Sequence, residues 1–156
     1  MSTVAPRDVA IRPMARRDLA EVVRLDAVHT GAAEPDYWRR VVADFVGRRT
    51  DRPRVGLVAE CDGMLAGFVL ADVRAFEFGS EPCGWILEIG VDPRFARQGL
   101  ASRLLAETGR RLREAGVTTI RTMVRRSDVP LLTFFRTNGF AAGPYVQLEW
   151  TPESGE

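Results

Sequence analysis

The sequence predicts one α/β domain of the α+β kind, a mixed sheet flanked by helices, and three observations carry that prediction. Apolar residues recur with a period of two in some segments and of about 3.6 in others. The segments follow the order strand, two helices, three strands, helix, strand, helix, strand, which calls for helices layered on a sheet. The chain has 156 residues, 46% of them hydrophobic, and a chain of this size buries roughly 70% of the surface its unfolded form exposes. Residues 1–156 are therefore expected to form a single domain with a core over about 9–150.

Residues 9–14, VAIRPM, alternate like a short strand. Asp18 is a candidate cap for a helix on which Leu19, Val22, Val23 and Leu25 recur at helical spacing, fading near HTGAAEP. A second helix is predicted from about Asp36 to Arg49, with Tyr37, Trp38, Val41, Val42, Phe45 and Val46 on one side, before TDRPR breaks the pattern. Three strands follow: VGLVAEC, then MLAGFVLADVRAF after the turn at Asp62 and Gly63, then CGWILEIGV. Together they suggest an antiparallel meander. From Leu100 the set Leu104, Leu105, Thr108 and Leu112 keeps the helical period, with Arg103, Arg110 and Arg113 outward, until Gly116 stops it. VTTIRTMV is expected as a strand and DVPLLTFFRTNGF as a short helix ended by Gly139. YVQLEW is expected as the last strand, before a polar and disordered tail, TPESGE.

Composition removes several function classes. A formal net charge of +1 supplies no broad field for nucleic acid. All 22 basic residues are arginine, and their scatter fits a coding bias better than a binding surface. His29 is the only histidine, which rules out a triad or zinc site built on several of them. Cys61 and Cys83 lie in apolar segments without CxxC spacing, so neither a metal site nor a structural disulfide is expected. The N-terminus lacks a cationic start followed by an apolar core, and no apolar run approaches the roughly 18 residues of a membrane span. These features predict a cytoplasmic protein without metal, nucleic-acid or membrane partners.

The stretch VDPRFARQGLA joins an apolar strand to the central helix. A helix N-terminus exposes N–H groups without intrahelical partners and carries roughly half a positive charge, so it favours anions. With Gly99 at the turn and Arg97 beside it, RQGLAS (residues 97–102) reads as a pyrophosphate cradle. The alternative is a tight turn at Gly99 with its arginines in water. Neither the GxGxxG of dinucleotide folds nor the GK[ST] of phosphate-binding loops is present.

The pattern V-D-P-x-x-x-x-x-G-x-A at the end of an apolar strand resembles the acyl-CoA-binding motif of the GNAT superfamily of N-acetyltransferases. TIRTMVRRSDVPLLTFFRTNGF resembles the strand and short helix that follow in that family, and the order of elements matches over about residues 9–150. The resemblance implies a mostly antiparallel sheet, acetyl-CoA as co-substrate, and a strand whose residues Ile89, Gly90 and Val91 pair with the pantetheine arm. It also implies that Arg97, Gln98, Gly99, Leu100, Ala101 and Ser102 hold the pyrophosphate through main-chain N–H groups. Three positions depart from the family pattern. Ala96 stands where Gln or Arg usually opens the loop, with Arg94 or Arg97 available to compensate. Asp128 replaces an Asn that faces the arm, and Phe135 replaces the Tyr that often protonates the thiolate.

Amine attack on a thioester needs a proton acceptor. Glu88 is the candidate, the only charged residue of CGWILEIGV, on a strand whose alternation puts Ile86, Glu88 and Gly90 on one face. Desolvation there raises a carboxylate toward a base's working range; the alternative is a salt bridge to an arginine. Met123 occupies the position where some family members place the base, and a thioether accepts no proton. Tyr145 is a candidate acid, although Tyr37 and Tyr145 read more simply as packing residues, like Trp38, Phe45, Phe134 and Phe140. His29, by resemblance, and Phe76, Glu77, Phe78 and Glu81 are candidates for the acceptor pocket.

The sequence thus points to acetyl-CoA-dependent N-acetyl transfer, by direct transfer in a ternary complex, to a primary amine of a small molecule, a peptide N-terminus or a lysine. The lack of a strongly acidic face argues against a polycationic acceptor, and a homodimer is compatible with the resemblance. The alternative is a catalytically silent acyl-CoA sensor or regulatory module, favoured by Asp128 and Phe135. An arginine-mediated nucleic-acid binder has only Arg125 and Arg126 in its favour.

Overall fold

In a computed structural model, which describes residues 8–47, 53–75 and 79–153, the meander forms the frame of the first of two compact units, residues 1–122. Strands β1 (Val9–Pro13), β2 (Arg54–Cys61), β3 (Met64–Arg74) and β4 (Cys83–Val91) lie in antiparallel order, and β5 (Ile120–Arg121) joins β4 in parallel. The result is the mixed, mostly antiparallel sheet flanked by helices that the sequence predicts.

Alternation along the strands decides which helix each side chain meets. On one face Phe68 and Leu70 pack with Val22 and Leu25 of α1 (Leu19–Thr30) and with Trp38 and Val42 of α2 (Pro35–Val46). Leu25 and Trp38 are wholly buried, and burial of an apolar side chain contributes about 2 kcal/mol. On the other face lies α3 (Leu100–Glu114), whose Leu104, Leu105, Thr108 and Leu112 are the buried stripe. Gly84 makes that approach feasible, because a Cβ there would lie 2.7 Å from Leu112 Cδ1.

Two bulges modify the alternation. Glu60 pairs with Leu65 and Ala59 with Gly67, so Ala66 is an extra residue in β3. Leu70 pairs with Glu88 and Ala71 with Ile86, so Leu87 is an extra residue in β4. A bulge shifts the parity of everything beyond it. Ile86 therefore shares the α3 face with Gly84, whereas Glu88 and Gly90, opposite Leu70 and Phe68, share the α1 and α2 face. The expected common face for Ile86, Glu88 and Gly90 fails at Leu87.

Other expectations are also corrected. Asp18 stands at the N-cap position of α1 without capping it; its carboxylate takes two bonds of 2.8 Å from Arg12 and one of 2.7 Å from the Ala15 N–H. Of VTTIRTMV only Ile120 and Arg121 form strand, paired with Gly84 and Trp85. The bulge follows directly, and Thr122 Oγ1 donates to Ile86 O at 3.1 Å, a side-chain bond where the ladder ends.

In the second unit, residues 123–156, α4 (Val129–Thr137) starts at Asp128 and is followed by Gly139 at φ +90°. YVQLEW pairs with no strand among the described residues. An alternating pattern makes a segment competent to be a strand, but only a partner makes it one. Thr151 to Glu153 are exposed without regular structure. The predicted end of the second helix at Arg49, most of TDRPR, the last three tail residues and the pocket candidates Phe76, Glu77 and Phe78 lie outside the described residues.

Candidate active site

The end of β4 is a strand with one edge open. The Asp92 N–H donates to Ala66 O at 2.8 Å, so Asp92 faces β3, and by antiparallel alternation Gly90 does too while Ile89 and Val91 turn their N–H and C=O outward. Beyond Trp85 no strand pairs with that outer edge among the described residues. His29, in the last turn of α1, lies over this end: its Nε2 is 2.9 Å from Val91 O, and since a carbonyl only accepts, Nε2 carries the proton.

Asp92 anchors the loop that follows. Only 2% exposed, its carboxylate accepts from the Arg94 N–H at 2.9 Å, from the Arg94 guanidinium at 2.7 Å and from Arg24 of α1 at 3.2 Å. The bonds from Arg94, opposed by burial, hold Asp92 well below the usual carboxylate range. Both Arg94 and Arg97 are exposed, but Arg94 is committed to Asp92. Arg97 and Gly99 adopt φ of +62° and +74°. The first residue is strained in that region and the second is not. No side chain caps α3 at Gly99, so the N–H groups of its first turn, over Leu100, Ala101 and Ser102, keep the donor capacity of a helix start. The Leu100 side chain itself is buried against Cys61, Ala66 and Phe95 and fastens the turn to the core.

Glu88 lies on the opposite side of β4 from α3, in a cavity of about 400 Å³ lined by Asp26, Thr30, Ala32, Glu34, Tyr37 and Glu88. The Tyr37 hydroxyl donates to Glu88 Oε1 at 2.9 Å, and the Trp38 indole N–H donates to Asp26 Oδ2 at 2.9 Å. Burial pushes Glu88 above its usual range; the bond from Tyr37 pulls it back, and the charge of Asp26 pushes it up again. Tyr37 is pushed up to about 12 by burial, by its bond to Glu88 and by the neighbouring carboxylates. A half-buried carboxylate raised above its usual range is a stronger proton acceptor than an exposed one.

A family model described as Acetyltransferase (GNAT) family matches residues 19–140. The chain belongs to that family. It is an acetyl-CoA-dependent acetyltransferase of the N-acetyl-transferring kind. Among solved structures, an aminoglycoside N-acetyltransferase in complex with CoA aligns at 19% identity over 97% of this chain and 99% of its own, with a TM-score of 0.81. An aminoglycoside 6'-N-acetyltransferase from Acinetobacter baumannii aligns at 17% identity over 95% and 100%, with a TM-score of 0.78. The ribosomal-protein-alanine N-acetyltransferase of Brucella melitensis biovar Abortus 2308 aligns at 20% over 92% and 97%, with a TM-score of 0.71. Identities this low establish a common fold. No curated protein sequence matches.

The acetyltransferase brings some expected residues together and reassigns others. Ile89, Gly90 and Val91 line the open end of β4, and Arg97 to Ser102 form the turn into α3. Asp128 spends one carboxylate oxygen on the Leu131 N–H, 3.1 Å away, as the cap of α4. Phe135 is buried, with its ring 5.1 Å from Phe134 and 5.0 Å from Phe140. Glu88 makes no ion pair among the described residues, and its partner is Tyr37, which the sequence marked for packing. His29 lies over the strand end while Asp26 and Thr30 of its helix line the cavity; Glu81 is exposed and outside the lining. Asp26 and Glu34 are not among the sequence candidates, and Asp92 stands there only as the D of the V-D-P motif, without its anchoring role. The spacing of Asp26 and Thr30, four apart on one helix face, was the available signal.

No helix among the described residues is long and apolar enough to cross a membrane.

Proposed function

We propose that this acetyltransferase modifies a small cationic amine, with Glu88 as the base that takes the ammonium proton. The observation supporting this reading is that adjacent residues of one strand carry both features: Glu88 lines the acidic cavity, and the next residue, Ile89, turns its backbone to the open edge. Acetyl-CoA supplies the thioester carbonyl carbon that the amine attacks. Ile89 and Val91 offer an extended arm the pairing of an added strand, with Gly90 between them. Arg97, Gln98, Gly99, Leu100, Ala101 and Ser102 offer a pyrophosphate main-chain donors and the exposed guanidinium of Arg97. Asp128 and Phe135 contribute no acid; a thiol with a pKa near 8.5 leaves tolerably as thiolate.

Three carboxylates around one cavity favour an acceptor with more than one ammonium. Each ammonium–carboxylate pair at about 4 Å contributes between about 1 and 4 kcal/mol as the surroundings pass from water to protein surface. Near-neutral net charge is an average and does not register such local clustering. The aminoglycoside N-acetyltransferases among the similar structures support a small-molecule acceptor. A free-thiol release assay with a linear diamine, the monoamine of equal length and an alanyl peptide tests the reading. The diamine is expected to show a KM at least about tenfold below the monoamine, the effect of about 1.4 kcal/mol. Preference for the peptide would overturn it.

A further inference from the structure

We propose that Tyr37 is the positioning residue of the base, holding Glu88 toward the acceptor cavity with a neutral hydroxyl, while Asp26, fixed by the indole of Trp38 in the same cavity, opposes it. The inference rests on Glu88 being the base.

Adjacent residues of α2 each grip one acid. Tyr37 reaches Glu88 at 2.9 Å, and Trp38, wholly buried and edge-on to Phe68 with ring centres 5.3 Å apart, reaches Asp26 at 2.9 Å. The rings of Tyr37 and Trp38 also meet edge-on at 5.4 Å, so the two grips brace one another. The polar groups lining the cavity with Glu88 are Tyr37 from α2, Asp26 and Thr30 from α1, and Glu34 from the connection between them, none of them a cation. His29 of α1, beside Gly90 on the same face, is outside that lining and bonds to Val91 O. A guanidinium would satisfy a half-buried carboxylate and depress its basicity at the same time. A hydroxyl satisfies it while leaving the negative charge in place, and a second carboxylate nearby keeps its proton affinity high. Tyr37 thus fixes the direction of the acceptor lone pairs, and the balance of Tyr37 against Asp26 sets the pH at which Glu88 begins to work.

The test is the pH profile of kcat for Glu88→Gln, Tyr37→Phe and Asp26→Asn with a diamine and saturating acetyl-CoA. Tyr37→Phe removes the donor and is expected to move the acidic limb up by about one pH unit, the scale of one hydrogen bond to a charged group. Asp26→Asn keeps an acceptor for Trp38 but removes the repelling charge, and is expected to move the limb down. A purely structural role for the pair gives lower activity without shifts of opposite sign. If Glu88→Gln keeps both turnover and limb, the base assignment itself fails. If Glu88→Gln abolishes them and Tyr37→Phe leaves the limb in place, only the role of Tyr37 is overturned. Should Tyr37→Phe fail to fold, an unmoved limb in Asp26→Asn overturns the proposed balance.

Discussion

The two sides of β4 are built from different materials. On the side proposed for acyl-CoA the groups are mostly main-chain ones: outward N–H and C=O groups at Ile89 and Val91, and the uncapped start of α3 behind a left-handed Gly99. On the side proposed for the acceptor they are side chains, Asp26, Glu34, Tyr37 and Glu88, brought together from two helices, a connection and a strand. A backbone site depends on a few conformational positions and little on side chains such as that of Ala96. A side-chain site depends on the identity of each residue, so under the proposed function acceptor choice belongs there.

Substitutions on either side should therefore separate the two functions. The largest effect is expected at Glu88→Gln, which keeps shape and removes the proton acceptor. A loss of kcat of about 10² to 10⁴ is expected, read by thiol release, with the calorimetric Kd for acetyl-CoA within about twofold of the parent. Gly99→Val should do the converse. No atom lies within 4 Å of a Cβ at Gly99, but its φ is +74°, so the cost is conformational, about 1–3 kcal/mol for a residue held there. A valine loop relaxes out of that conformation when unliganded and pays the cost on binding, a rise in the acetyl-CoA Kd of roughly 5- to 150-fold with the amine KM little changed.

Asp92 links the sides, since Arg24 comes from α1 and Arg94 from the loop. Asp92→Asn is expected to cost about 2 kcal/mol, on the scale of hydrogen bonds to a charged group, and to lower Tm by roughly 4–8 °C for a chain of this size. The sign with pH follows from the depressed value of Asp92. The unfolded carboxyl titrates near 3.9, so its contribution is complete above that pH and is lost as pH falls toward the lower folded value. Thermal melts between pH 6 and pH 3 should show the gap between parent and Asp92→Asn closing as acid is added.

The same contrast explains what could be read from the sequence. The turn VDPRFARQGLA is local: a strand end, a glycine and a helix start within eleven residues carry its meaning, and all three formed as expected. The stripe Leu104, Leu105, Thr108 and Leu112 was equally legible, because a helical period survives any tertiary arrangement. Glu88 was singled out as a charge on an apolar strand, yet the face it occupies depends on the bulge at Leu87, and a bulge leaves no mark in a period-two pattern. Trp38 is buried as the apolar side of the predicted helix requires, whereas Tyr37 is exposed, and their polar ends find partners 12 and 51 residues away in sequence. YVQLEW has strand alternation but pairs with no strand among the described residues, since pairing is a property of two segments.

The most direct test of this division is a crossed experiment on Glu88→Gln and Gly99→Val, with acetyl-CoA affinity by calorimetry and kcat at saturating diamine measured on the same preparations. The account predicts that Glu88→Gln keeps the affinity and loses turnover, while Gly99→Val loses affinity and recovers most of its kcat when acetyl-CoA is raised to saturation. Loss of affinity in Glu88→Gln together with unchanged affinity in Gly99→Val would contradict it.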